Sequence, residues 1–212
     1  MSGAAERRRD MATPEEPTDA GPTWREIAIA PLAGVANETL DLLLGELSSR
    51  VHVACRRVAC PTQPPLDRVA GRSQIDADRW LERLEAHARP EIPLVGVTEA
   101  DLALPIFTFV FGRARLGGGA AVISLARLRP EFYGLSPDPR LVARRAAAEL
   151  LHELGHVAGL AHCERPDCLM RFAASVEAAD LRGFTFCPDC AAALPQGMAP
   201  RPNPFAGETQ PL

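Results

Sequence analysis

Residues 152–162 read His-Glu-Leu-Gly-His-Val-Ala-Gly-Leu-Ala-His, and this run constrains the chain more than any other. On a helix each residue turns about 100° and rises about 1.5 Å, which puts His152 and His156 about 40° apart and about 6 Å along the axis. Two imidazoles so placed can reach one zinc ion with bonds of about 2.0–2.1 Å. Gly159 tolerates the positive φ that ends a helix sharply. The turn can bring His162 back as a third ligand. Three neutral donors leave a fourth position open for water, whose pKa zinc lowers to about 7. Glu153 stands beside the first histidine, placed to take that water's proton without binding metal. With His152 at 0°, Leu150, Leu151, Leu154, Val157 and Ala158 fall between about 140° and 260°. That arc is expected to face the core, leaving the histidines toward a cleft or solvent. Three of the chain's five histidines fall within this run, which argues against reading each as an ordinary side chain.

The six cysteines admit two readings. Cys163 and Cys168 directly follow the histidine run, and Cys187-Pro188-Asp189-Cys190 is a CxxC knuckle. Four thiolates in two pairs make a closed tetrahedral zinc site with a structural role. Two disulfides, or free thiols, are the alternative, and disulfides need an oxidising compartment. Residues 1–22 carry Arg7, Arg8 and Arg9 among acids and prolines. They lack the apolar core of about 7–15 residues that a secretory signal has. A cytoplasmic protein is expected, and with it the metal reading. Cys55 and Cys60 are expected to bind no metal.

The remaining composition narrows the classes. An apolar fraction of 47% excludes a wholly disordered chain. No stretch reaches about 18 uninterrupted apolar residues, so no membrane partner is expected. A net charge of −4, with no lysine, gives no electrostatic support to a nucleic-acid partner. Residues 1–22 and the proline-rich residues 194–212 are expected to be disordered tails around one domain at 23–193. Within it, strands are expected at 24–32, 51–58 and 93–97, and a hairpin from 106–111 and 120–125. Helices are expected at 37–49, capped by Asn37, at 76–88 and at 138–159, with Pro139 in the first turn. Alternating strands and helices indicate an α/β architecture.

The histidine run with Cys163, Cys168, Met170, Cys187 and Cys190 resembles the metzincin-clan zinc peptidases, and among them most closely the archaemetzincins. Residues 94–102, 109–112 and 121–128 are similar to family segments, and Arg72 and Gln74 match an Arg-x-Gln element. The resemblance covers roughly residues 24–192. The interval between Met170 and Cys187 is one residue shorter than in the family, and Ile75 stands where an aromatic is usual. The resemblance implies a metzincin-like catalytic domain: a twisted mixed sheet, a backing helix, an active-site helix and a small C-terminal zinc-bound subdomain. It implies two zinc ions, one catalytic (His152, His156, His162) and one structural (Cys163, Cys168, Cys187, Cys190). Met170 would form a methionine turn beneath the metal, a role that overlaps with filling the core. The implied activity is hydrolysis of a peptide or protein substrate by a zinc-bound water, with Glu153 as general base, in a monomer. Residues 120–125 would form the edge strand that pairs with substrate. Tyr133 could assist the oxyanion, although packing is the simpler role. The alternative function is a zinc-stabilised peptide-binding module with weak or no catalysis.

Overall fold

Runs such as Leu94–Thr98 and Ala120–Ser124 carry no polar face because helices cover both sides of the sheet they form. The computed structural model of the chain describes residues 23–32, 34–62, 67–198 and 201. The expected N-terminal tail and residues 202–212 lie outside the described residues. In chain order the elements are β1 (Glu26–Pro31), α1 (Asn37–Arg50), β2 (Ala54–Arg57), β3 (Ile75–Asp76), α2 (Ala77–Glu85), β4 (Leu94–Thr98) and β5 (Leu102–Leu104). There follow β6 (Phe107–Val110), β7 (Gly112–Ala114), β8 (Ala120–Ser124), α3 (Pro139–Val157), α4 (Val176–Leu181) and α5 (Pro188–Ala192). The larger sheet has the order β2-β1-β4-β8-β7. Its first four strands are parallel, and β7 runs antiparallel to β8. The smaller sheet has the order β3-β5-β6, with β6 antiparallel to β5.

The two faces of the larger sheet build two cores. Ile27, Ile29, Val95, Val97 and Ile123 pack with Leu43 and Leu47 of α1 and with Leu150 and Leu154 of α3. Ala28, Ala30, Leu94 and Val122 pack with Trp80, Leu81 and Leu84 of α2. Burying each large aliphatic side chain contributes roughly 1.5–3 kcal/mol. Gly96 lets α2 approach, since a Cβ there would lie 2.7 Å from Leu84 Cδ1. The Glu85 carboxylate at the end of α2 accepts from the Gly119 and Ala120 amides at 3.1 and 3.2 Å, fixing the start of β8. Asp138 caps α3 by accepting from Leu141 N at 2.9 Å. The α/β fold, with α1 backing the histidine helix α3 and the cysteine segment following, is the expected one. Among the described residues, no helix is long and apolar enough to cross a membrane.

Four expectations need correction. Residues 106–111 do not form a hairpin with 120–125: β6 pairs with β5, and pairing with β8 begins only at Phe111, whose carbonyl accepts from Ser124 N at 2.7 Å, and continues along β7. The chain leaves one sheet for the other at Phe111, so one apolar run serves two sheets. Residues 120–125 are therefore not an edge strand, since β8 lies between β4 and β7 and the edge on that side is Gly112–Ala114. The domain also continues past residue 193. Gly197 O accepts from His52 N and Val53 N at 3.0 and 2.8 Å, and Met198 is fully buried. The density of prolines around Gln196–Met198 hides this backbone pairing. Asn37 is the first residue of α1, and Ala36 holds the cap position without a side-chain bond.

Candidate active site

A glycine turn brings the third histidine to the other two. Gly159 has φ +94°, its amide bonds His156 O at 2.9 Å, and the Leu160 amide bonds Gly155 O at 2.9 Å. This pair of bonds closes α3 in a Schellman motif and reverses the chain toward His162. The donor atoms of His152, His156 and His162 all lie within 4.8 Å of one another.

Hydrogen bonds fix the tautomers. His152 Nδ1 donates to Leu169 O and His156 Nδ1 to Leu160 O, each at 2.7 Å. A carbonyl only accepts, so both Nδ1 atoms carry hydrogen and both Nε2 atoms present lone pairs. Those two Nε2 atoms face each other at 3.2 Å. Two ligands about 2.05 Å from zinc at the tetrahedral angle stand about 3.3 Å apart. Unprotonated nitrogens this close repel unless a cation lies between them, so the donor set fits zinc. Burial also keeps the imidazoles neutral, holding His152 down to about 4 and lowering His156 and His162 from their ordinary value. Arg182 Nη1 lies 3.3 Å from His152 Nδ1, but both are donors. Its acceptor is instead Arg171 O, also at 3.3 Å.

Glu153 packs against Gly112 of β7. Gly112 makes room for it, since a Cβ there would lie 2.6 Å from Glu153 Cγ. Burial, reinforced by the negative charge of Glu149, raises the Glu153 carboxyl well above the usual carboxylate range. Glu149, one turn earlier, is itself buried. Burial is the largest influence and pushes its pKa up, but the Arg182 guanidinium, the charge of His152 and hydrogen bonds with Arg182 and Glu153 together hold it below its ordinary value. Arg182 Nη2 donates to Glu149 Oε2 at 2.6 Å, with the two side chains only 2% and 6% exposed.

These groups form one wall of a cavity of about 420 Å³. Residues of β6 and β7 also line it, and Phe107, Phe109, Leu116 and Phe172 add apolar surface, Phe172 standing beside His162 with ring centroids 5.4 Å apart. Met170 is fully buried beneath α3, and a Cβ at Gly155 would overlap its sulfur. Its carbonyl accepts from Cys163 N at 2.9 Å. Tyr133 does not line the cavity; its hydroxyl donates to Arg127 O at 2.9 Å and its ring packs on Phe132.

The structure also gathers Cys163, Cys168, Cys187 and Cys190, their Sγ atoms all within 4.8 Å of one another. Cys163 and Cys187 Sγ stand 4.0 Å apart, and no cysteine is in a disulfide. Thiolates about 2.3 Å from zinc at the tetrahedral angle stand about 3.8 Å apart, against about 2.05 Å for an S–S bond. The spacing suits a metal rather than two bridges. The Cys190 amide is the largest of the influences that lower the Cys187 thiol to about 7, favouring the thiolate. Cys55 and Cys60 lie outside the cluster. Missed in the sequence were Gly112, Glu149, Phe172 and Arg182. Glu149 left one trace, a charged residue on the apolar stretch of α3 a full turn before Glu153.

A family model described as "Peptidase family M54" matches residues 90–196, about half of the chain. The chain is 50% identical over 97 residues to an archaemetzincin of Methanocaldococcus jannaschii, a match that covers 46% of this chain and 54% of that protein. The chain thus spans about half the length of this curated relative. The crystal structure of an archaemetzincin from Archaeoglobus fulgidus, complexed with malonate, superimposes with a TM-score of 0.66 at 33% identity. That match covers 80% of this chain and 99% of the other. The structure of a zinc-dependent peptidase from Methanocorpusculum labreanum matches with a TM-score of 0.66 at 26% identity, covering 79% and 98%.

Proposed function

Because the chain belongs to peptidase family M54, the archaemetzincins, we propose that it is a zinc-dependent peptidase whose active site is the cavity beside α3. His152, His156 and His162 would hold the catalytic ion, the first two through Nε2. A zinc ion bound there supplies Lewis acidity that acidifies water and polarises a carbonyl. Glu153 takes the proton from the attacking water onto its carboxylate and returns it to the leaving amine. Its raised pKa suits a group that must hold a proton between two transfers. The carbonyls of Leu169 and Leu160 keep the two imidazoles turned toward the ion. The edge β7 offers backbone groups to an extended peptide. The walls at Phe107, Phe109, Leu116 and Phe172 receive apolar side chains. Cys163, Cys168, Cys187 and Cys190 hold a second, structural zinc ion that ties α5 to the loop after α3.

The approach of two lone-pair-bearing Nε2 atoms to 3.2 Å beside a buried carboxyl carries this reading. Its test is digestion of a mixed peptide library by the zinc-loaded chain, read by mass spectrometry. The expected products have large apolar residues beside the new ends and do not form once a zinc chelator is added. A library that is bound but never cut would favour the zinc-stabilised binding module.

A further inference from the structure

The substrate-facing wall formed by β6 is weakly held by its own sheet. It pairs with β5 only at Leu102↔Val110 and Leu104↔Phe107, with a register shift between them. It is the last strand of its sheet, yet Phe107, Thr108, Phe109 and Val110 all line the cavity. Something besides the ladder must fix its position.

Two side chains from the segment before β3 do so. Arg72 Nη1 donates to Phe107 O at 2.6 Å. Gln74 Nε2 donates to Thr108 O at 2.8 Å and to Asp101 Oδ2 at 3.0 Å, so both hydrogens of its amide are used. Asp101 in turn accepts from Arg127 Nε and Nη2 at 2.8 and 2.9 Å. The Arg127 guanidinium lies 4.3 Å above the Phe109 ring. Arg72 and the linked Gln74–Asp101–Arg127 group thus hold the backbone of β6 at two successive carbonyls and one of its aromatic side chains. Arg72, Gln74, Asp101 and Arg127 do not line the cavity.

Building on the peptidase reading, we propose that Arg72 and Gln74 are positioning residues for substrate, setting the height of the β6 wall above the histidine site. Their loss lets the wall shift, which weakens grip on a peptide's side chains while His152, His156, His162 and Glu153 keep their places on and after α3. The signature is a rise in KM at nearly constant kcat. Arg72→Ala and Gln74→Leu are each expected to raise KM for an apolar peptide about tenfold with kcat within about twofold. Arg72→Lys, which keeps one donor, restores most of the loss.

A binding test separates this proposal from the function beneath it. Acetohydroxamate engages a metal alone, whereas a peptidyl hydroxamate with large apolar side chains also needs the wall. Wild type is expected to bind both. Gln74→Leu and Arg72→Ala should bind acetohydroxamate as wild type does and the peptidyl hydroxamate about tenfold more weakly. Unchanged peptidyl binding in both variants would overturn the positioning role and leave the peptidase reading intact. Equal weakening of both probes in a folded variant would also overturn it, as a general loss of the site. Wild type that binds neither probe would overturn the zinc-site reading and the wall's role with it. Should Arg72→Ala not fold, Gln74→Leu decides.

Discussion

Glu153→Gln is expected to lower kcat/KM for peptide hydrolysis by about 10²–10⁴-fold, the range that a positioned general base contributes. The fall lies almost wholly in kcat, because glutamine keeps the shape of the side chain but cannot take a proton. The buried site has no other described carboxylate free to replace it: Glu149 is engaged by Arg182 at 2.6 Å. Zinc content stays at the wild-type value, since Glu153 is not among the three clustered histidines. The pH profile changes too, losing the acid limb that reports protonation of the base. Steady-state kinetics at matched zinc content make the check. A variant retaining more than about a tenth of wild-type kcat would contradict the assignment of Glu153 as base.

The second large effect is on stability. Arg182→Met leaves the Glu149 carboxylate buried without its partner, and removing one member of a buried ion pair typically costs about 3–5 kcal/mol. Deprived of Arg182, Glu149 acquires a pKa above its unfolded value, because burial already pushes it upward. A group whose folded pKa is raised favours the folded state at low pH and loses that contribution as pH rises. The defect of Arg182→Met is therefore expected to shrink on acidification and to be largest at and above neutrality. Adding Glu149→Leu should recover most of the lost stability, since replacing both partners by apolar groups is often close to neutral. Urea denaturation of the zinc-loaded proteins measures all three. A single variant within about 1 kcal/mol of wild type at neutral pH would show that the pair is not the clasp between α3 and the end of α4.

The parts legible in the sequence are those whose chemistry is local. His152, His156 and Gly159 share one helix and its cap, so periodicity alone places them. The cysteine pairs are close enough in the chain for their spacing to carry meaning. Strands β4 and β8 announce themselves as short apolar runs. The parts that stayed hidden depend on distant neighbours. Nothing near Arg182 marks it as the partner of Glu149, 33 residues away. The continuous run around Phe109 and Phe111 does not show that the chain changes sheets there, so the edge position of β7 beside β8 is not legible in it. Proline content around Gln196 resembles a tail, whereas backbone bonds to Gly197 O pin it beside β2. The Arg72 and Gln74 element was visible as a motif, but its meaning required the carbonyls of Phe107 and Thr108.

The two-zinc assignment is the centre of this account, and anomalous X-ray diffraction at the zinc edge tests it most directly. The expected map has two peaks per chain. One lies among the imidazoles of His152, His156 and His162 at about 2.0–2.1 Å, and the other among the four Sγ atoms at about 2.3 Å. A zinc-loaded crystal with no peak between His152 Nε2 and His156 Nε2 would contradict it.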